Sequence, residues 1–135
     1  MKRIHLVIAC ILSVFGFACN TPNSPTDDDN TFKSVTVEEF AKCLEGKNVV
    51  ILDVRTPTEY AAGHIENAIN INVEAPDFEE NAVAKLPIKK TIAVYCRSGR
   101  RSKTAAEILC TKGYKVIELD KGINSWTSAG MPIVE

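Results

Sequence analysis

Residues 91–112 read TIAVYCRSGRRSKTAAEILCTK, and this stretch decides the fold. Residues 91–95 form a continuous apolar run, β-branched and aromatic, as expected of a strand buried on both faces. Residues 102–112 place Ala105, Ile108 and Leu109 at helical spacing, and Gly113 closes the helix. A buried strand that passes through a short polar loop into an amphipathic helix is half of a parallel crossover unit. Between the two stand Cys96, Arg97, Ser98, Gly99, Arg100 and Arg101.

The same alternation extends to both sides. Residues 49–52 (VVIL), 68–71 (AINI) and 116–119 (VIEL) read as further short strands. Thr36-Val37-Glu38-Glu39 is a capping box opening a helix that stops near Gly46. Thr56-Pro57-Thr58-Glu59 is a second capping box, with proline at the first helical position, and that helix ends at Gly63. Residues 121–129 make a short last helix carrying Trp126, read as a core residue. The expected class is α/β, a central, mainly parallel sheet with helices on both faces. Such sheets bind ligands beyond the carboxyl ends of their strands. That rule selects Asp53-Val54-Arg55 after one strand and Cys96 onward after another.

The second of these carries chemistry. A cysteine between a strand end and a helix start sits where backbone N–H groups converge and favour negative charge. The helix dipole and neighbouring arginines stabilise a thiolate there. Gly99 allows a turn that a Cβ would block. Arg97, Arg100 and Arg101 suit the loop to an anionic substrate, with Arg101 expected to turn inward and the other two to steer anions at the mouth. Cys96 is the expected nucleophile, and residues 97–102, Ser102 included, are the expected substrate cradle. Asp53 and Arg55 are expected to support the site by organising its loops through hydrogen bonds and an ion pair. Glu59 is accounted for by its capping box, and His64 by packing between the second helix and the next strand. Cys43 and Cys110 fall within helical patterns and read as structural.

Cys96-x-x-Gly99-x-Arg101 resembles the active-site loop of rhodaneses. Leu52-Asp53-Val54-Arg55, Glu59-Tyr60 and Gly63-His64-Ile65-x-x-Ala68-Ile69-Asn70-Ile71 resemble that family's N-terminal signature. Gly122-Ile123-x-x-Trp126 and Ala129-Gly130-Met131-Pro132 resemble its C-terminal one. The resemblance spans residues 33–134. It implies transfer of sulfane sulfur through a Cys96 persulfide, from a small anionic donor such as thiosulfate to a thiol or to cyanide, with no cofactor or metal. Phosphatases and arsenate reductases on the same fold resemble the loop too, but theirs is Cys-x5-Arg. The Cys-x4-Arg spacing here implies a cradle sized for sulfur rather than for a tetrahedral phosphate. A non-enzymatic persulfide carrier or partner-binding module is the other reading the resemblance leaves.

The N-terminal residues read differently from the rest. Lys2 and Arg3 precede an apolar run over residues 4–18, about 15 residues and short of the roughly 20 a membrane span requires. This is the pattern of an export signal over residues 1–18. Gly16-Phe17-Ala18-Cys19 resembles a bacterial lipoprotein cleavage site, with Cys19 lipidated, although Gly16 stands where leucine is common. Cleavage by an ordinary signal peptidase after Ala18 is the alternative. Residues 19–31, with two prolines and three aspartates, read as a flexible tether, followed by a folded domain over residues 32–135. The protein is thus expected to be exported, as a periplasmic or membrane-anchored bacterial lipoprotein.

Composition sets outer bounds. A net charge of −1 gives no basic excess for nucleic acid. The five cysteines form no C-x-x-C and no zinc-like spacing with His5 or His64, which argues against a structural metal. A domain of this size buries enough core to fold without disulfides. With no obvious surplus of apolar surface, a monomer is expected.

Overall fold

The computed structural model describes residues 31–135. The expected export signal, the lipidation of Cys19 and all but the last residue of the tether lie outside the described residues. The elements run β1 (Lys33–Val35), α1 (Val37–Leu44), β2 (Val49–Asp53), α2 (Pro57–Ala62), β3 (Ile69–Asn70), α3 (Phe78–Lys85), β4 (Thr91–Tyr95), α4 (Arg100–Thr111), β5 (Val116–Leu119) and α5 (Gly122–Ser128). The sheet order is β1-β5-β4-β2-β3. All four strand pairs are parallel. This is the α/β architecture expected from the alternation of strand and helix patterns.

β4 lies in the middle of the sheet, and its side chains alternate between two cores. Ile92 and Val94 face one side, joining Leu52, Val116 and the α3 and α4 residues Phe78, Ala82, Ala105 and Leu109. Ala93 and Tyr95 face the other, against Phe40 of α1 and Ile123 and Trp126 of α5. Phe40 meets Tyr95 and Trp126 edge-on, with ring centroids 6.5 and 6.1 Å away. The same parity carries Cys96 onto the α3/α4 side, continuous with Ile92 and Val94. The strand therefore aims the cysteine before the loop begins.

Two elements escaped the sequence reading. β1 has three residues and pairs only with β5 at the sheet edge, too short to show a period. α3 buries only Phe78 and Ala82, while Val83 is exposed, so its apolar face is one turn long and blurred. α4 begins at Arg100, two residues earlier than its apolar spacing indicates. Gly99 takes φ +102°, a left-handed conformation open to glycine, and this lets the helix start immediately after it.

The turn after β2 is held by buried charge. Asp53 accepts from the Arg55 backbone N–H at 2.9 Å and from its guanidinium at 2.7–3.1 Å. Arg55 Nη2 also donates to the Gly63 carbonyl at 2.7 Å, and its guanidinium lies 5.8 Å over the Tyr95 ring. Asn70 Nδ2 donates to the carbonyls of Asp53 and Arg55. Asp53 and Arg55 thus organise the loop beside the site, as their placement in the sequence suggests. His64 stacks on Tyr60 at 3.7 Å, in the packing role expected of it.

Because the Asp53 side chain is fully buried and that of Arg55 only 7% exposed, removing one partner strands the other. Asp53→Ala is expected to cost about 3–5 kcal/mol of stability in urea unfolding.

Candidate active site

The loop from Cys96 to Arg100 closes in the space between β4 and α4. Cys96 is buried, at 1% exposure. The Gly99 N–H donates to Cys96 Sγ at 3.1 Å, and Ser102, in the first turn of α4, places its Oγ 3.3 Å from the same sulfur. The start of α5 holds the outer side of the loop. Ile123 N–H donates to the Cys96 carbonyl at 2.8 Å and Asn124 N–H to the Arg97 carbonyl at 3.1 Å. A trans peptide points its N–H opposite to its carbonyl, so this clamp turns the N–H groups of Arg97 and Ser98 away from α5. A Cβ on Gly122 would collide with the carbonyls of Cys96 and Arg97, so the clamp closes only on a glycine.

The arginines divide as follows. Arg97 and Arg100 are both exposed, and of the two Arg100 lines the cleft over the loop. Arg101 is half-buried and forms a two-pronged pair with Glu59, at 2.7 and 2.9 Å, while Glu74 comes within 4.0 Å of it. Its charge is thus matched by carboxylate before any substrate arrives. The cleft over the loop has a volume of about 420 Å³ and is lined by Val73, Glu74, Ser98, Arg100, Arg101 and Thr104. Cys96 does not line it and sits beneath.

Three contributors were missed at the sequence level. Glu59 has two tasks: Oε1 accepts from Thr56 in the capping box and from Arg101. The Arg101 hydrogen bond, working against desolvation, pulls its carboxyl down to about 2 from an ordinary 4.5. Glu74 was invisible because it lies in a segment without periodicity. Glu118, in β5, is fully buried and accepts from Ser102 Oγ at 2.7 Å. Its one signal in the sequence is a carboxylate inside an otherwise apolar strand of a parallel sheet. Cys43, Cys96 and Cys110 all have free thiols, Cys43 half-buried and Cys110 buried.

A group whose folded-state pKa is depressed adds stability above its unfolded value and loses it as pH falls through the folded one. The Glu59–Arg101 pair should therefore stabilise the fold fully above about pH 5, lose that contribution as pH falls through the folded value, and contribute nothing only below it. Glu59→Gln is expected to lower stability by about 1 kcal/mol at pH 7, with the difference from wild type shrinking in urea titrations as pH falls from about 5 towards 2. At Gly99 a Cβ would overlap the Asp120 carbonyl. Gly99→Ala is expected to displace the N–H from Cys96 Sγ and to slow alkylation of that thiol by at least about tenfold.

Residues 36–129 match the family described as Rhodanese-like domain. The chain is 35% identical over 94 residues to a sulfurtransferase of Allochromatium vinosum, covering 69% of this chain and 85% of the relative. It is 31% identical over 101 residues to the thiosulfate sulfurtransferase GlpE of Shewanella oneidensis, covering 74% of this chain and 97% of the relative. Among solved structures, a rhodanese-related protein of Thermoplasma volcanium superposes with a TM-score of 0.68 at 32% identity, over 76% of this chain and 97% of the other. With fold, loop and sequence in agreement, the chain belongs to the rhodanese-like family and is homologous to its sulfurtransferases.

Proposed function

We propose that this protein transfers sulfane sulfur through a persulfide on Cys96, taking it from thiosulfate or a related anionic donor and passing it to a thiol. The observation that carries this reading is the Gly99 N–H held 3.1 Å from Cys96 Sγ in a Cys-x4-Arg loop. A donor already in place at the sulfur stabilises negative charge there without reorganisation.

The Cys96 thiolate attacks the outer sulfur of thiosulfate. A bond forms between Sγ and that sulfur, the donor's S–S bond breaks, and sulfite leaves with the bonding pair. The acceptor thiolate, or cyanide in an assay, then attacks the outer sulfur of the persulfide, and Cys96 departs as thiolate. Two displacements through a covalent intermediate give ping-pong kinetics. Exposed Arg97 and Arg100 draw the anion to the cleft. Arg101, tied to Glu59, acts as a fixed wall of that cleft rather than as an uncompensated charge. This compensation favours a sulfur donor over phosphoester chemistry, in which an arginine must take up the charge of a transferring phosphoryl group.

Treatment with thiosulfate followed by mass spectrometry is expected to add one sulfur to the peptide bearing Cys96 and none in Cys96→Ser. Thiosulfate:cyanide turnover in that variant is expected to fall by at least about a thousandfold. An unmodified Cys96 after exposure to thiosulfate would overturn the reading.

A further inference from the structure

Glu118 has no part in the sulfur displacements, yet it is a fully buried carboxylate one side chain away from the nucleophile. Its position follows from β5. Val116 and Glu118 share a face of the strand, and Val116 belongs to the core beneath α4. Glu118 therefore points towards α4 and the reactive loop. There Oε1 takes the Ser102 hydroxyl at 2.7 Å, and Oε2 takes the Ser34 hydroxyl of β1 at 2.6 Å. Lys103 Nζ of α4 lies 3.5 Å from Oε2 and pairs with Asp120 at 2.9 Å. With three donors gathered around it, the group is placed as a carboxylate, which only accepts.

The consequence for Cys96 follows from counting protons. Ser102 Oγ carries one hydrogen and donates it to Glu118. Towards Cys96 Sγ, 3.3 Å away, it presents only lone pairs. That contact is favourable when the sulfur bears its own proton and unfavourable when the sulfur is an anion. We propose that Glu118 is a positioning residue which fixes the direction of the Ser102 hydroxyl and so holds resting Cys96 as a guarded thiol. The thiolate forms when the thiol proton leaves to solvent and Ser102 swings its hydrogen from Oε1 to Sγ. Glu118 keeps Ser34 and Lys103 in exchange. The same swing receives the Cys96 thiolate that departs when a persulfide is discharged. Cys96 and Glu118 thus compete for one hydroxyl proton.

The other groups around this pair do not reproduce the effect. The Gly99 N–H donates to Sγ in either state. The Arg101 cation interacts with Cys96 and is shared with Glu59 and Glu74. The Lys103 ammonium faces Glu118 and Asp120, which hold it above its usual range against the desolvation that opposes them. Among the described residues, only Ser102 is hydrogen-bonded to both the sulfur and the carboxylate.

This inference rests on Cys96 as the working nucleophile, but its test reads ionisation of the thiol rather than sulfur transfer, so the two readings fail separately. Glu118→Gln keeps the shape and removes the charge, and its amide can donate to Ser102 Oγ, freeing that hydroxyl for the sulfur. Alkylation of the Cys96 peptide by iodoacetamide is followed by mass spectrometry as a function of pH. The expected result is a several-fold faster reaction at pH 7, with the whole profile displaced to lower pH. The same substitution made in a Ser102→Ala background is expected to have a smaller effect. A profile that stays in place or moves to higher pH overturns the proposal, and so does an equal displacement in the Ser102→Ala background, which is what loss of the carboxylate charge alone would produce. In the wild-type protein, 13C-labelled at glutamate and cysteine, the Glu118 carboxyl resonance is expected to shift at the pH where Cys96 ionises. A Glu118 signal that ignores that step overturns the proposal without recourse to any variant.

Discussion

The hydrogen bond from the Gly99 N–H to Cys96 Sγ sets the dimensions of everything around it. It exists because residue 99 takes a left-handed conformation against the Asp120 carbonyl, in a space too small for a Cβ. That turn starts α4 immediately, and so brings Ser102 to the sulfur and Arg101 to Glu59. The loop it closes is short enough for the first residues of α5 to clamp its carbonyls from outside. β4 contributes the aim and Gly99 the reach.

Charge is then distributed so that little of it is left unmatched. Asp53 and Arg55 neutralise each other under the neighbouring loop, Glu59 holds Arg101, and Glu118 is ringed by hydroxyls and Lys103. Among the described residues no buried side-chain nitrogen or oxygen lacks a hydrogen-bond partner. Buried polar networks that are fully satisfied favour one arrangement over its competitors. Arg97 and Arg100 stay exposed, while Arg55 and Arg101 are held by carboxylates.

Much of this could be read along the chain. β4 falls where a continuous apolar run places it and β5 where a short apolar run broken only by Glu118 does, and both capping boxes form as written, with Thr36 accepting from Glu39 and Thr56 from Glu59. These are local signals, complete within four or five residues. α3 was not legible because two buried residues make no period, and β1 because its order comes from its neighbour β5. Glu59 was legible as a cap but not as the partner of Arg101, 42 positions further on, since a side chain that already has one explanation gives no sign of a second.

The sequence by itself determined the alternation of strand and helix, the buried strand that ends in Cys96, and the Cys-x4-Arg loop length. Periodicity, capping and glycine freedom act between neighbours, so the linear order contains them. Only the tertiary structure decided which carboxylates face the loop. Glu118 meets Ser34 across 84 positions and Ser102 across 16, because the crossover topology lays β1 and α4 against β5. The strength of such contacts comes from burial and from the direction of single protons, and both are settled by packing.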